Sequence, residues 1–238
     1  MGLIGAQAAI AAVSLYQSAV TALGYLRSRR ARVGPMPAEL PCFGLIICAR
    51  DEEPVIERIV RDLQAQDYPR ELFDIIVVAH NCSDDTASVA ARAGASVVTH
   101  RTGSPGKARA VEAGEAAFGG RHDLIGVFDA DTRVEPGLLA AVARHWPEDG
   151  CMQAEAVPIE DPEWLAAGYG FGRKARNLFW WRPREALGMG TTITGSGWFI
   201  RPGLLSTYME GSRTLTEDLE LTARLCADGH RVRYISGA

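Results

Sequence analysis

Four short apolar runs, at residues 43–48, 75–79, 96–99 and 124–128, alternate with helix-patterned stretches at 54–66, 84–93 and 107–118. Runs this short and this largely apolar fit strands covered on both faces, and strands joined through helices have to pair in parallel with right-handed crossovers. The reading is therefore an α/β chain with a mostly parallel sheet flanked by helices. In such sheets ligands bind outside the carboxyl ends of the strands, so the loops at those ends are where chemistry belongs.

The fourth run ends in Val127-Phe128-Asp129-Ala130-Asp131-Thr132, and Pro136 then opens a helical pattern through Trp146. Two carboxylates at one strand end repel each other unless a cation lies between them, and oxygen-only ligands suit Mg²⁺ or Mn²⁺. Such an ion could bridge a diphosphate. The plainer alternative is a polar strand exit in which Asp129 caps the next turn and Asp131 is solvated. The other strand-end loops are also polar. Ala49-Arg50-Asp51-Glu52-Glu53-Pro54 follows the first run, where its acids can bond a ribose or base or decorate the next helix start. His80-Asn81-Cys82-Ser83-Asp84-Asp85-Thr86 follows the second, with Ser83 or Asp84 a natural cap. Residues 101–107 form a Gly/Pro/Ser loop ending in Gly106-Lys107, where a lysine can meet phosphate oxygens, although the P-loop pattern is missing.

Ahead of this domain, residues 2–26 carry no charge, and about 25 helical residues extend about 37 Å, enough to cross a bilayer. Arg27, Arg29, Arg30 and Arg32 follow, which by the positive-inside tendency puts the rest of the chain on the cytoplasmic side. Pro35, Pro37 and Pro41 make 33–41 an extended linker. The expected organisation is thus a transmembrane helix with its basic flank over 1–32, the linker, and a domain over 42–238. Five cysteines without C-x-x-C spacing indicate neither a disulfide framework nor a zinc site, and a net charge of −4 argues against nucleic acid as a partner.

Taken in order, Ala49-Arg50-Asp51-Glu52-Glu53, Asn81 to Thr86, Gly106-Lys107-Ala108, the D-x-D at Asp129 and Asp131, Gly195-Ser196-Gly197 and Thr216-Glu217-Asp218 resemble the family 2 glycosyltransferases of GT-A fold. The resemblance extends especially to the membrane-bound processive polysaccharide synthases and their relatives. The resemblance implies a nucleotide-diphosphate sugar donor, with a uridine diphosphate sugar favoured, and a glycan or lipid-linked acceptor at the membrane. It implies that Asp131 ligates the metal, with Asp129 sharing it or holding the donor ribose or diphosphate. Ala49, Asp51, Glu52 and His80 would line the nucleoside side, and Lys107 would face the phosphates. Asp218 would be the general base, with Glu217, Gly195, Ser196, Gly197 and Trp198 on the acceptor side. A base on the acceptor side and a separate acid cluster on the leaving diphosphate imply single displacement with inversion.

The sequence departs from the pattern where His80 replaces the family's usual acid. The chain also ends at Ala238 without the Q-x-x-R-W motif and further membrane helices of the processive members, so a fragment is one expectation. Two competing functions follow. One is a membrane-tethered nucleotide-sugar-binding relative without turnover. The other is a haloacid-dehalogenase-type phosphatase, whose hydrophobic-D-x-D-x-T strand end Phe128 to Thr132 also matches. Residues 164–181, rich in Trp, Phe, Tyr and Arg, read as an amphipathic helix at the membrane surface or a wall of the acceptor channel.

Overall fold

The computed structural model describes residues 2–28, 34–102, 106–148, 150–158, 164–209, 211 and 216–237. In chain order its elements are α1 (Gly2–Ser28), β1 (Phe43–Ala49), α2 (Ile56–Gln64), β2 (Phe73–His80), α3 (Thr86–Arg92), β3 (Ser96–His100), α4 (Lys107–Phe118), β4 (Leu124–Asp129) and α5 (Leu138–Ala143). Then come β5 (Cys151–Ala154), α6 (Trp164–Arg176), a π-helical turn (Asn177–Trp181), α7 (Arg182–Ala186), β6 (Trp198–Ile200), α8 (Pro202–Met209), α9 (Glu217–Ala227) and β7 (Val232–Ile235). They form two units, Met1–Val33 with Ala156–Thr191 and Gly34–Glu155 with Thr192–Ala238. The division differs from the expected one in that residues 156–191 group with the N-terminal helix.

The larger unit is a seven-stranded sheet in the order β3-β2-β1-β4-β6-β5-β7. The first four strands are mutually parallel, β6 runs antiparallel to β4 and β5, and β7 is parallel to β5. The sheet is therefore mostly parallel, as its alternation with helices requires. Along β1, Phe43, Leu45 and Ile47 point to the face packed by Ile56, Ile59 and Leu63 of α2 and Leu139 and Val142 of α5. Ile46 points to the other face, with Val111 and Phe118 of α4, Leu205 of α8 and Leu221 and Leu225 of α9. Each fully buried side chain of this size stabilises the fold by about 1.5–3 kcal/mol, which is why both faces of β1 stay apolar. Register brings the carboxyl ends level: Ala49 pairs with Ala79, Cys48 with Asp129, and His80 with His100. The polar loops thus share one edge.

The expected strands and helices of the first half appear with their ends shifted by a residue or two. Three details differ. β3 is a half-exposed edge strand rather than a buried one, and the helix expected over 136–146 contracts to α5 between turns. The short β5, β6 and α8 carry too few residues to show a period and were not foreseen.

In the smaller unit, α1 is long and apolar enough to cross a membrane by length and composition over Gly5–Ser28. Of its side chains described, only Val20 is buried, and Gly24 is buried with it. α7 lies directly on Gly24, where an added Cβ would overlap the Pro183 backbone. Arg27 closes α1, whereas the basic flank at Arg29, Arg30 and Arg32 lies outside the described residues. The helix expected over 164–181 is α6 running into the π-helical turn and α7.

Candidate active site

At the carboxyl edge of β1 and β2 the two exit loops are laced together by side chains. Asp51 and Asn81 both adopt left-handed backbone with φ of 55°, so each strand ends in an abrupt turn. The Asp51 carboxylate accepts the Ser83 backbone N–H at 2.6 Å and its hydroxyl at 3.0 Å, and the Cys82 thiol donates to the Ala49 carbonyl. The Glu52 N–H donates to the Thr86 hydroxyl at 2.9 Å, and the Glu53 N–H to Asp84 at 3.1 Å. These bonds to Ser83 hold the Asp51 carboxyl below the usual carboxylate range. Asp51, Cys82 and Asp84 bring one ligand-type atom each within 4.8 Å of one another, but loop lacing accounts for that cluster. His80 is buried: its Nδ1 lies 3.1 Å from Nδ1 of His100, its ring stacks on that imidazole, and its Nε2 is 3.3 Å from the Asn81 amide. Both of its ring nitrogens are thus engaged within the protein.

The D-x-D sits where β4 leaves the sheet, with Asp129 half-buried and Asp131 exposed. Ser196 closes the strand end: its hydroxyl accepts the Asp129 N–H at 3.0 Å and lies 2.7 Å from the Thr132 hydroxyl. Lys107, at the start of α4, bonds both Oδ1 of Asp129 and the carbonyl of Gly195. The same Gly195 donates its N–H to Oδ2 of Asp218 at 3.0 Å, while Oδ1 of Asp218 accepts the Leu219 N–H at 2.8 Å. The two acid clusters, 87 residues apart in sequence, are thereby joined through one lysine and one glycine residue. Gly195 needs its φ of 58° to present carbonyl and N–H in opposite directions, and a Cβ there would stand 3.5 Å from Oδ2 of Asp129.

Among the described residues, carboxylates outnumber the cation that touches them at this edge. Burial raises the Glu52 carboxyl above its ordinary value, and the charges of Asp131 and Asp129 raise it further. Burial likewise raises Glu217, with Lys107 pulling it down and Asp218 and Asp129 pushing it up. A partly desolvated group of oxygen donors with uncompensated negative charge suits a hard divalent cation, so Asp131 and Asp129 fit the role of ligands to one. Cys48, in register beside Asp129, is no nucleophile: burial pushes its thiol up to about 12.

Among the acceptor-side residues, Trp198 needs correction. Its side chain is buried in β6, and its indole N–H donates to the Gly195 carbonyl at 3.2 Å, so it supports the loop instead of meeting an acceptor. Two positioning residues escaped the sequence reading. Gln153, fully buried in β5, accepts the Thr194 N–H at 2.7 Å and donates to the carbonyls of Ala154 at 2.9 Å and Ser196 at 3.0 Å. Thr222 in α9 accepts the Ile193 N–H at 3.0 Å and donates to the Asp218 carbonyl at 2.8 Å. An amide inside the apolar run Cys151-Met152-Gln153-Ala154 was the available signal for the first.

A family model described as glycosyltransferase like family 2 matches residues 41–238. The chain is 31% identical over 201 residues to a beta-monoglucosyldiacylglycerol synthase of Synechocystis sp., covering 78% of the chain and 40% of that protein. It is 26% identical over 226 residues to the probable glycosyltransferase YdaM of Bacillus subtilis, covering 84% and 50%. The chain thus spans about two fifths to half the length of these curated relatives. In structure it is similar to the mannosyltransferase PcManGT from Pyrobaculum calidifontis in complex with GDP-Man and Mn²⁺, with a TM-score of 0.65 at 22% identity over 95% of this chain and 67% of that one. It is also similar to glucosyl-3-phosphoglycerate synthase from Mycobacterium tuberculosis in complex with Mn²⁺, UDP and phosphoglyceric acid, with a TM-score of 0.57 at 16% identity over 82% and 68%. These likenesses establish the GT-A fold of the sheet and its flanking helices.

Proposed function

The chain belongs to the glycosyltransferase-like family 2, and from that premise we propose that it moves a sugar, with inversion, from a nucleotide-diphosphate sugar to a lipid acceptor at the cytoplasmic face of a membrane that α1 spans. Family membership also removes the phosphatase alternative, since the D-x-D strand here follows three strand-helix units instead of opening the fold. The observation that carries the reading is the Asp129–Lys107–Gly195–Asp218 connection, which sets a metal-suited acid pair and a separate carboxylate along one sheet edge.

In this reading Asp131 and Asp129 hold a divalent cation, which when bound offsets charge on the leaving diphosphate. Lys107 fixes Asp129 and keeps a positive charge beside that group. Asp218 has one hydrogen bond to each oxygen from backbone N–H groups, which leaves lone pairs free to take the proton of an acceptor hydroxyl. That oxygen attacks the anomeric carbon as the bond to the diphosphate breaks, so configuration inverts. The lipid class rests on the relative named as a beta-monoglucosyldiacylglycerol synthase, and a uridine diphosphate sugar is the donor to try first, since a structural neighbour holds UDP. Ala49, Asp51, Glu52 and His80 are the nucleoside side, and Glu217 with residues 195–197 the acceptor side.

The test is to incubate the full-length protein, in membranes, with UDP-glucose, a diacylglycerol acceptor and Mn²⁺ or Mg²⁺, and to read product anomer by NMR. An inverted product that disappears with chelator is expected. A retained anomer would overturn single displacement. Nucleotide-sugar binding with no transfer would favour the non-catalytic relative instead.

A further inference from the structure

In the smaller unit two polar side chains of the mostly apolar α1, which also carries Gln7, Ser14 and Ser18, are directed at one carbonyl. Gln17 Nε2 and Thr21 Oγ1 both donate to the Phe179 carbonyl, at 3.2 and 2.8 Å. Phe179 lies in the π-helical turn, where hydrogen bonding leaves the α-helical pattern. In water such a carbonyl needs no protein donor, whereas in hydrocarbon an unsatisfied one costs several kcal/mol. The side chains around it match the second setting: Leu178, Phe179 and Trp180 are 48%, 60% and 44% exposed. Arginines flank the turn with their guanidinium groups over its aromatics, Arg176 at 4.3 Å from the Trp181 ring centre and Arg184 at 5.2 Å from that of Trp180, and cations on long stems like these can lie along apolar surface while their free N–H groups meet water or phosphate.

Depth follows from helix geometry. At 1.5 Å per residue, Thr21 lies about 9 Å and Gln17 about 15 Å along the axis from Arg27, within a half-bilayer of about 15 Å. α7 meets α1 nearer that end, at Gly24. We propose that residues 178–180 are inserted among the acyl chains of the leaflet in which α1 ends, with Arg176 and Arg184 on lipid phosphates. The surface is thus a second, non-spanning contact with a phospholipid leaflet. The inference rests on the reading of α1 as a span.

The experiment places the full-length protein in phospholipid nanodiscs that contain a lipid with a mid-chain diazirine, with photolysis and peptide mapping of the adducts. Adducts on α1 and on residues 178–180, both severalfold above those on α2 of the sheet unit, are expected. Replacing Gln17 and Thr21 by Leu and Val should cut the yield on 178–180 severalfold while leaving that on α1. Adducts on α1 with only the α2 level on 178–180 would overturn the insertion and keep the span. Background labelling of α1 itself would overturn the span, and the insertion with it.

Discussion

The two halves of the sheet hold their functional groups by different means. On the side proposed for the donor, β3-β2-β1-β4 are parallel strands of five to eight residues, and the exit loops are tied to one another by short side-chain bonds such as Asp51 to Ser83 and Glu52 to Thr86. On the side proposed for the acceptor, β6-β5-β7 are strands of three or four residues in mixed sense, and the loop carrying Gly195 hangs from a few buried polar groups, chiefly Gln153 and Thr222. Long strands distribute the work of positioning over many pairings. Short ones concentrate it, so single substitutions should be more damaging on the acceptor side.

The sharpest form of that contrast is Asp218 against Asp131. Asp218→Asn keeps an oxygen for one of the Gly195 and Leu219 N–H groups, turns an NH2 toward the other and loses the proton acceptor, so transfer should fall by at least about 10²- to 10⁴-fold with nucleotide-sugar affinity far less affected. Asp131→Asn should weaken both, and calorimetry with a nucleoside diphosphate should show parent binding that depends on Mn²⁺ while the variant loses most of that dependence. Transfer near the parent rate in Asp218→Asn, with acceptor saturating, would move the base role to Glu217. Equal parent affinity with Mn²⁺ and with excess chelator would take the D-x-D out of metal binding.

Next comes Gln153→Leu, which preserves volume but strands the Thr194 N–H and two carbonyls. A buried unsatisfied group costs about 1–3 kcal/mol, so the variant should lose at least that much in urea unfolding and lose transfer as well. The donor-side counterpart, Ser83→Ala, removes only one of the two bonds to Asp51 at an exposed loop and should change stability by less than about 0.5 kcal/mol. Similar losses from the two variants would erase the contrast.

The same difference in construction explains what could be read in advance. The donor half announced itself because a buried strand of five or more residues is visible as an apolar run, and β1, β2 and β4 were each found within two residues at either end. Lys107 and the D-x-D were visible as polar punctuation after such runs. The pairing of Lys107 with Asp129 was not, because it depends on a loop 88 residues later in sequence folding back to offer the Gly195 carbonyl. Trp198 misled for the converse reason: an aromatic beside Gly-Ser-Gly looks like a binding surface until the three-residue strand that buries it is known. Grouping of 156–191 with α1 was likewise out of reach, since Gly24 and Pro183 carry no mark of their contact.

The smallest effect concerns pH and singles out the donor half. His80 is 5% exposed, stacked on His100 with their Nδ1 atoms 3.1 Å apart, so one ring has to offer a lone pair to the other. Burial, His100 and Arg50 all hold the His80 pKa below its ordinary value, in that order. Between the unfolded value of about 6.5 and that lower folded value, the unfolded chain binds a proton that the folded chain refuses. Stability therefore rises with pH through this window, falls as pH drops from about 6.5, and levels off once the folded imidazole also protonates. The slope from one such group is at most about 1.4 kcal/mol per pH unit. Asp51 and Asp84 have depressed folded values and also lose stability on acidification, but only as pH approaches the ordinary carboxylate range, while the raised Glu52 and Glu217 carboxyls are common to parent and variant, so the difference between the two chains at pH 7.5 and 5.5 reads the histidine. Urea unfolding at those two pH values should show the parent losing more stability than His80→Gln, whose amide cannot take up the proton. Equal losses would mean that the imidazole pair accommodates a proton in the folded state, and His80 would then give its half of the sheet no pH dependence of its own.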